Sequence, residues 1–295
     1  MASQPTVVFG FDCETDVGSF YHTYRGVREG TPLLLDLLAS KGVDATFFFT
    51  GAAAREDPEA VAAARDAGFE IGCHSLYHET VGDPLFPVPG VTPLLPEEVP
   101  HRLRVAHEWV AEVAGVEPVS FRCPRLFGGT GVMNALEEMG YLADASYPMY
   151  FYRERLVPYH PSAEDWTQEG DLRIVEIPNF ADMAMESHDE YGRDRDQWPL
   201  FRTEGADALL AHIDSFVGFV AARGLPAVLC FYFHPWEFVT QPDRMHISEG
   251  FAVPDPFIVQ NCGPHALEQF GLLVEGLQAR GARFLTCAEV AAETP

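Results

Sequence analysis

A chain of 295 residues with 47% hydrophobic and 21% charged side chains has the apolar material for a sizeable core, which excludes wholesale disorder. Its 44 acidic against 19 basic residues give a formal charge of −25, a field that repels nucleic acid and anionic membrane surfaces. No stretch of about 18 or more apolar residues occurs, so no membrane span is expected.

The opening MASQPT runs directly into the apolar VVFGF without a basic region, an apolar h-region or a cleavage site, so no export signal is read and a cytoplasmic location is expected. VVFGFD reads as a strand, TPLLLDLLASKG as a helix stopped at Gly42, and ATFFFT as a strand. PEAVAAARDAG follows as a helix stopped at Gly68, then FEIGC as a strand. Beyond a Pro-rich loop at 83–96 come a helix near 97–114, strand PVSFR, a helix at 132–139, and strands YLADA and LRIVEIP. A polar stretch near 187–202 leads to a helix at 206–222, strand AVLCFYF, a helix at 266–279, strand ARFLT and a short final helix.

Seven or eight strands alternating with helices predict βαβ units, a parallel sheet and a TIM-barrel-like α/β fold, with one domain over 1–295. The long connections at 83–96, 147–170, 180–203 and 235–263 are expected to form the substrate side. Six scattered cysteines with no CxxC pair suit reduced thiols better than a disulfide framework.

Ionisable residues follow five of these strands: Asp12 and Glu14, His74 and His78, Arg122, Asp144, and His234. Their natural meeting place is the C-terminal rim of a parallel barrel. His74 and His78 are spaced i, i+4, so a helical turn would present both imidazoles on one face to a shared cation. Asp12 and Glu14, spaced i, i+2, share one side of an extended chain while Cys13 takes the other. Such a carboxylate pair can divide labour, one completing a His/His/carboxylate site and the other acting as base on a water.

These residues resemble the polysaccharide deacetylase, or NodB-homology, carbohydrate esterases. The motifs FDCET, HSLYH, FRCP, ADAS and FYFHPW stand in the family's order from Asp12 to His234. The resemblance implies a distorted (β/α)7 barrel and one divalent cation, zinc by default, with nickel, cobalt or iron also suited to the ligands. It makes Asp12 the general base and Arg122 its partner, because Pro124 follows Arg122 as the family pattern requires. Asp144 becomes the support of the acid-side histidine, and His234 the general acid that protonates the departing amine.

The family's usual metal-binding aspartate is replaced here by Cys13. By the D-x-E spacing of some branches, Glu14 becomes the third ligand beside His74 and His78, with Cys13 and Asp16 as alternatives. The HPWE continuation recurs in one branch, and Trp236 either lines the acyl pocket or packs the barrel. With no export signal, the expected substrate is an intracellular N-acyl small molecule, an amino sugar or a relative, handled by a possible homo-oligomer. Two rivals share the fold: a cyclic amide or imide hydrolase of allantoinase type, and a non-catalytic binding protein.

Overall fold

The structure is a computed structural model describing residues 4–88 and 90–295. Residues 1–3 of the opening segment and Pro89 of the Pro-rich loop lie outside the described residues. The strands are β1 (Thr6–Cys13), β2 (Thr46–Phe49), β3 (Glu70–Cys73), β4 (Ser120–Phe121), β5 (Ala143–Asp144), β6 (Val175–Glu176), β7 (Val228–Phe233), β8 (Met245–Ile247), β9 (Gly250–Ala252) and β10 (Arg283–Phe284). Helices of more than one turn are α1 (Thr31–Lys41), α2 (Gly51–Glu56), α3 (Pro58–Asp66), α4 (Val99–Ala114), α5 (Thr130–Met139), α6 (Ala206–Ala221), α7 (Pro264–Ala279) and α8 (Cys287–Glu293).

All pairings among the barrel strands are parallel, in the order β7-β1-β2-β3-β4-β5-β6. A bridge between Asn179, just past β6, and Cys230 of β7 brings the two ends of the sheet together, with the Phe180 N–H donating to the Cys230 carbonyl at 2.7 Å. The expected β/α barrel is therefore present, and all eight strands read from the sequence are found. β10 shares one edge of β1 with β2, pairing with Thr6 and Val7 while β2 pairs with Gly10 to Cys13.

Alternation along β1 explains the two layers of the core. Val7, Phe9, Phe11 and Cys13 join the large apolar cluster between sheet and helices. There Phe9, Phe11, Phe233 and Phe270 meet edge to face or tilted, each burial worth about 1.5–3 kcal/mol. Val8 faces the barrel interior with Phe48, Ala145, Ile177 and Cys230. Cys287 and Val290 of α8 belong to this inner cluster, so α8 plugs the end where the strands begin. The Cys287 and Ala288 N–H groups donate to Thr46 and Glu70 at 3.0 and 3.2 Å, which fixes the plug to the starts of β2 and β3.

Besides short helical turns, α2 and the β8–β9 hairpin have no counterpart in the sequence reading. α2 follows β2 directly, capped by Thr50, whose Oγ accepts from Ala53 N at 3.0 Å. The β8–β9 hairpin lies within the 235–263 connection. Among the described residues, no helix is long and apolar enough to cross a membrane.

Candidate active site

The end of the barrel opposite α8 carries a cavity of about 240 Å³. Each of the four long connections contributes to it: Phe86, Tyr150, Arg193 with Trp198, and Trp236 with Phe257. A fifth contribution, Val17 to Phe20 just past β1, had no sequence signal beyond its length.

Asp12, Glu14, His78 and His234 line the cavity, and His74 sits against Glu14 and Asp12. His74 Nε2 is 3.3 Å from Glu14 Oε2 and 4.0 Å from Asp12 Oδ2, and His78 Nε2 contacts the same Glu14 oxygen. Donor atoms of Glu14, His74 and His78 all lie within 4.8 Å of one another, and all three side chains are buried. The i, i+4 histidines converge, but not on a helical turn. Residues 74–79 form a tight loop with Ser75 and His78 at φ 65° and 62°, and its first carbonyls accept from Gly51 and Ala52 of α2. Glu79 holds that loop shut, accepting from Tyr77 N at 2.5 Å and Ser75 Oγ at 3.2 Å.

The donor set fits a cation. His74 Nδ1 lies 2.7 Å from the Arg122 carbonyl, which can only accept, so that nitrogen carries the proton. In the neutral ring Nε2 is then a bare lone pair facing a carboxylate oxygen. Such an acceptor-to-acceptor contact is relieved by a positive centre between them. His78 Nδ1 is similarly engaged by Ser19 Oγ at 2.8 Å, and burial pushes its pKa down to about 4, which favours the neutral ligand form. The second Glu14 oxygen is buried without a partner among the described residues.

The alternative third ligands point elsewhere. Cys13 lies in the apolar layer beneath the helices, its burial raising the thiol pKa well above normal. Asp16 is taken up by its own loop, accepting from Thr23 Oγ at 2.6 Å, Gly26 N at 2.8 Å and Arg25 N at 3.0 Å.

Arg122 lies fully buried across the barrel interior. It donates to Asp12 Oδ1 at 2.9 Å, the Ala145 carbonyl at 3.0 Å and the Phe231 carbonyl at 3.2 Å, with its guanidinium 4.5 Å from the Phe48 ring centre. Gly10 makes this possible, since a Cβ there would stand 2.2 Å from Arg122 Nη1. Burial alone would lower the Arg122 pKa, but Asp12 outweighs it and the group stays firmly charged.

His234 departs from the arrangement that the resemblance implies. No hydrogen bond or ion pair joins it to Asp144, whose Oδ1 accepts from Ser146 Oγ at 2.6 Å beside Glu176, deep in the barrel. Burial pushes Asp144 up to about 6 and Glu176 well above the usual carboxylate range. The partner of His234 is instead Glu237, three residues on in the turn that follows β7, with Oε1 3.0 Å from Nδ1. Arg202 donates to the other Glu237 oxygen at 2.6 Å, and both residues are fully buried. Burial would lower the His234 pKa, but the Glu237 hydrogen bond and the charges of Glu14, Glu237 and Asp12 raise it above normal. Trp236 both packs and lines: its ring stacks on His234 at 5.0 Å, and its backbone lies where a Cβ on Gly26 would sit, 2.4 Å away.

Residues 3–143 match the family described as polysaccharide deacetylase. Over that span, a little under half of the chain, the sequence is similar to that family. A peptidoglycan-N-acetylglucosamine deacetylase of Bacillus cereus is 27% identical over 145 residues, 49% of this chain and 58% of the relative's length. Thus the match spans little more than half of that deacetylase. A Mycobacterium smegmatis protein assigned as a polysaccharide deacetylase superposes with a TM-score of 0.63 at 20% identity, over 99% of this chain and 91% of its own. The Puue allantoinase superposes at 0.61 and 14% identity, over 97% and 88%. These last two likenesses extend the deacetylase fold, the distorted (β/α)7 barrel, beyond residue 143 to almost the whole chain.

Proposed function

We propose that this chain is a metal-dependent hydrolase that removes an N-acetyl or similar N-acyl group from an amino sugar or related small molecule. The observation that carries this reading is the cavity floor. There a His/His/carboxylate cradle, an arginine-paired aspartate and a carboxylate-paired histidine stand together. Glu14, His74 and His78 would hold one divalent cation, zinc first by the donor set, which supplies Lewis acidity to a water and to the acyl oxygen.

The remaining work falls to the chain's own groups. Asp12, oriented by Arg122, accepts a proton from the attacking water. His234, held by Glu237 and biased towards imidazolium, donates a proton to the amide nitrogen, because an amine leaves poorly as an anion. Trp236 and Trp198 flank that histidine, restricting water around the transferred proton.

The test compares metal-replete and chelator-stripped protein on N-acetyl amines and cyclic imides, following acetate and ring-opened product separately. Acetate release lost on stripping and restored by zinc is the expected result. Ring opening without acetate would establish the cyclic-amide alternative, and turnover indifferent to stripping would overturn the mechanism.

A further inference from the structure

Two arginines on the walls of the cavity have no carboxylate partner among the described residues. Arg193 makes no side-chain hydrogen bond and has no carboxylate oxygen within 4.0 Å among the described residues; its guanidinium lies 4.8 Å from the Phe86 ring centre. Its acidic neighbour Asp196 is engaged by Tyr232 Oη and by Trp198 N at 3.4 Å. Arg125 spends one N–H on the His78 carbonyl at 3.2 Å and likewise has no carboxylate partner. The indole N–H groups of Trp198 and Trp236 are buried without partners among the described residues, and both residues line the same cavity.

We infer that the compound acted on carries an anionic group, carboxylate or phosphate, bound by Arg193 and Arg125. The inference rests on reading the site as an N-deacylase and names its substrate class. A half-buried guanidinium without a counter-ion is costly to keep, and its planar fork matches the oxygens of both anions. In a chain with 44 acidic and 19 basic residues, two unpaired arginines in one cavity run against the overall charge. Phe86, its ring centre 4.8 Å from the Arg193 guanidinium, keeps water from one side of that group, which strengthens an ion pair formed there.

The experiment uses the metal-loaded protein and three probes sharing one N-acetyl ring: N-acetylglucosamine, its 6-phosphate, and N-acetylmuramic acid. Calorimetric binding and acetate release are measured side by side. At least one anionic probe should bind more tightly than the neutral sugar. Arg193→Gln should weaken the anionic probe about 10- to 100-fold more than the neutral one, and Arg193→Lys should keep most of the preference. Which anion wins distinguishes phosphate from carboxylate. Equal affinity for all three, no binding of either anion, or a preference unaltered by Arg193→Gln overturns the inference. Anion-selective binding with no acetate from any probe would instead overturn the deacylase reading and leave this one standing.

Discussion

At the scale of single residues, the site turns on which carboxylate serves which partner. Glu237 is the residue that sequence reasoning passed over: HPWE was noticed as a motif, but its glutamate was given no task. A signal was there, because a carboxylate three residues after a histidine at a helical first turn can return to cap it. Asp144 could not be corrected from sequence, since only the register of β5 turns it towards Ser146 and Glu176. On the proposed mechanism Glu237 positions His234, and its effect is readable in pH. A general acid loses activity as pH rises through its pKa, and Glu237 raises that of His234, so Glu237→Gln should move the basic limb of the kcat/KM profile to lower pH. The loss at the optimum should stay below the roughly 10²- to 10⁴-fold that a general acid contributes. A lowered rate with an unmoved limb would reduce Glu237 to a packing role.

At the scale of elements, β1 is the strand on which the site is built. Its alternation placed Asp12 and Glu14 on one side and Cys13 on the other, legible because period two is fixed by backbone geometry. What the strand pattern could not convey is the hole at Gly10. That glycine has no unusual backbone angle; it is required by a guanidinium arriving from β4, far away in sequence. Gly10→Ala should force Arg122 aside. The expected cost is about 1–3 kcal/mol in denaturant unfolding, with a fall in turnover and no change in secondary structure by circular dichroism. A variant of unaltered stability and activity would mean that Arg122 is free to move. The HSLYH loop teaches the reverse lesson: the i, i+4 spacing identified converging histidines although the helix it suggested is absent. Two left-handed residues and Glu79 bring the rings together by another route.

At the scale of the whole molecule, strand count and order were legible from repeated βα alternation. Closure through Asn179 and Cys230 was not, because it joins two segments by a single bridge. Net charge proved a poor guide to the cavity, where Arg193 and Arg125 have no carboxylate oxygen within ion-pair distance among the described residues, inside a chain of charge −25. The thiols carry a different kind of information. Cys13, Cys73, Cys123, Cys230 and Cys287 are all buried, and burial raises the thiol pKa of each, so in the folded state none offers a thiolate to solvent. Cys262 alone is half exposed, its thiol pushed up to about 12 by burial. An alkylating reagent should therefore label the native chain slowly, at Cys262 first, and reach the other five only when the barrel opens. Cys230 and Cys287 lie in one buried cluster inside the barrel, one against Arg122 and the other on the plug, so their modification marks the opening of the barrel interior. Peptide-resolved labelling would turn the fold's scattered cysteines into a clock for its own unfolding, and early labelling of Cys230 would contradict a closed barrel.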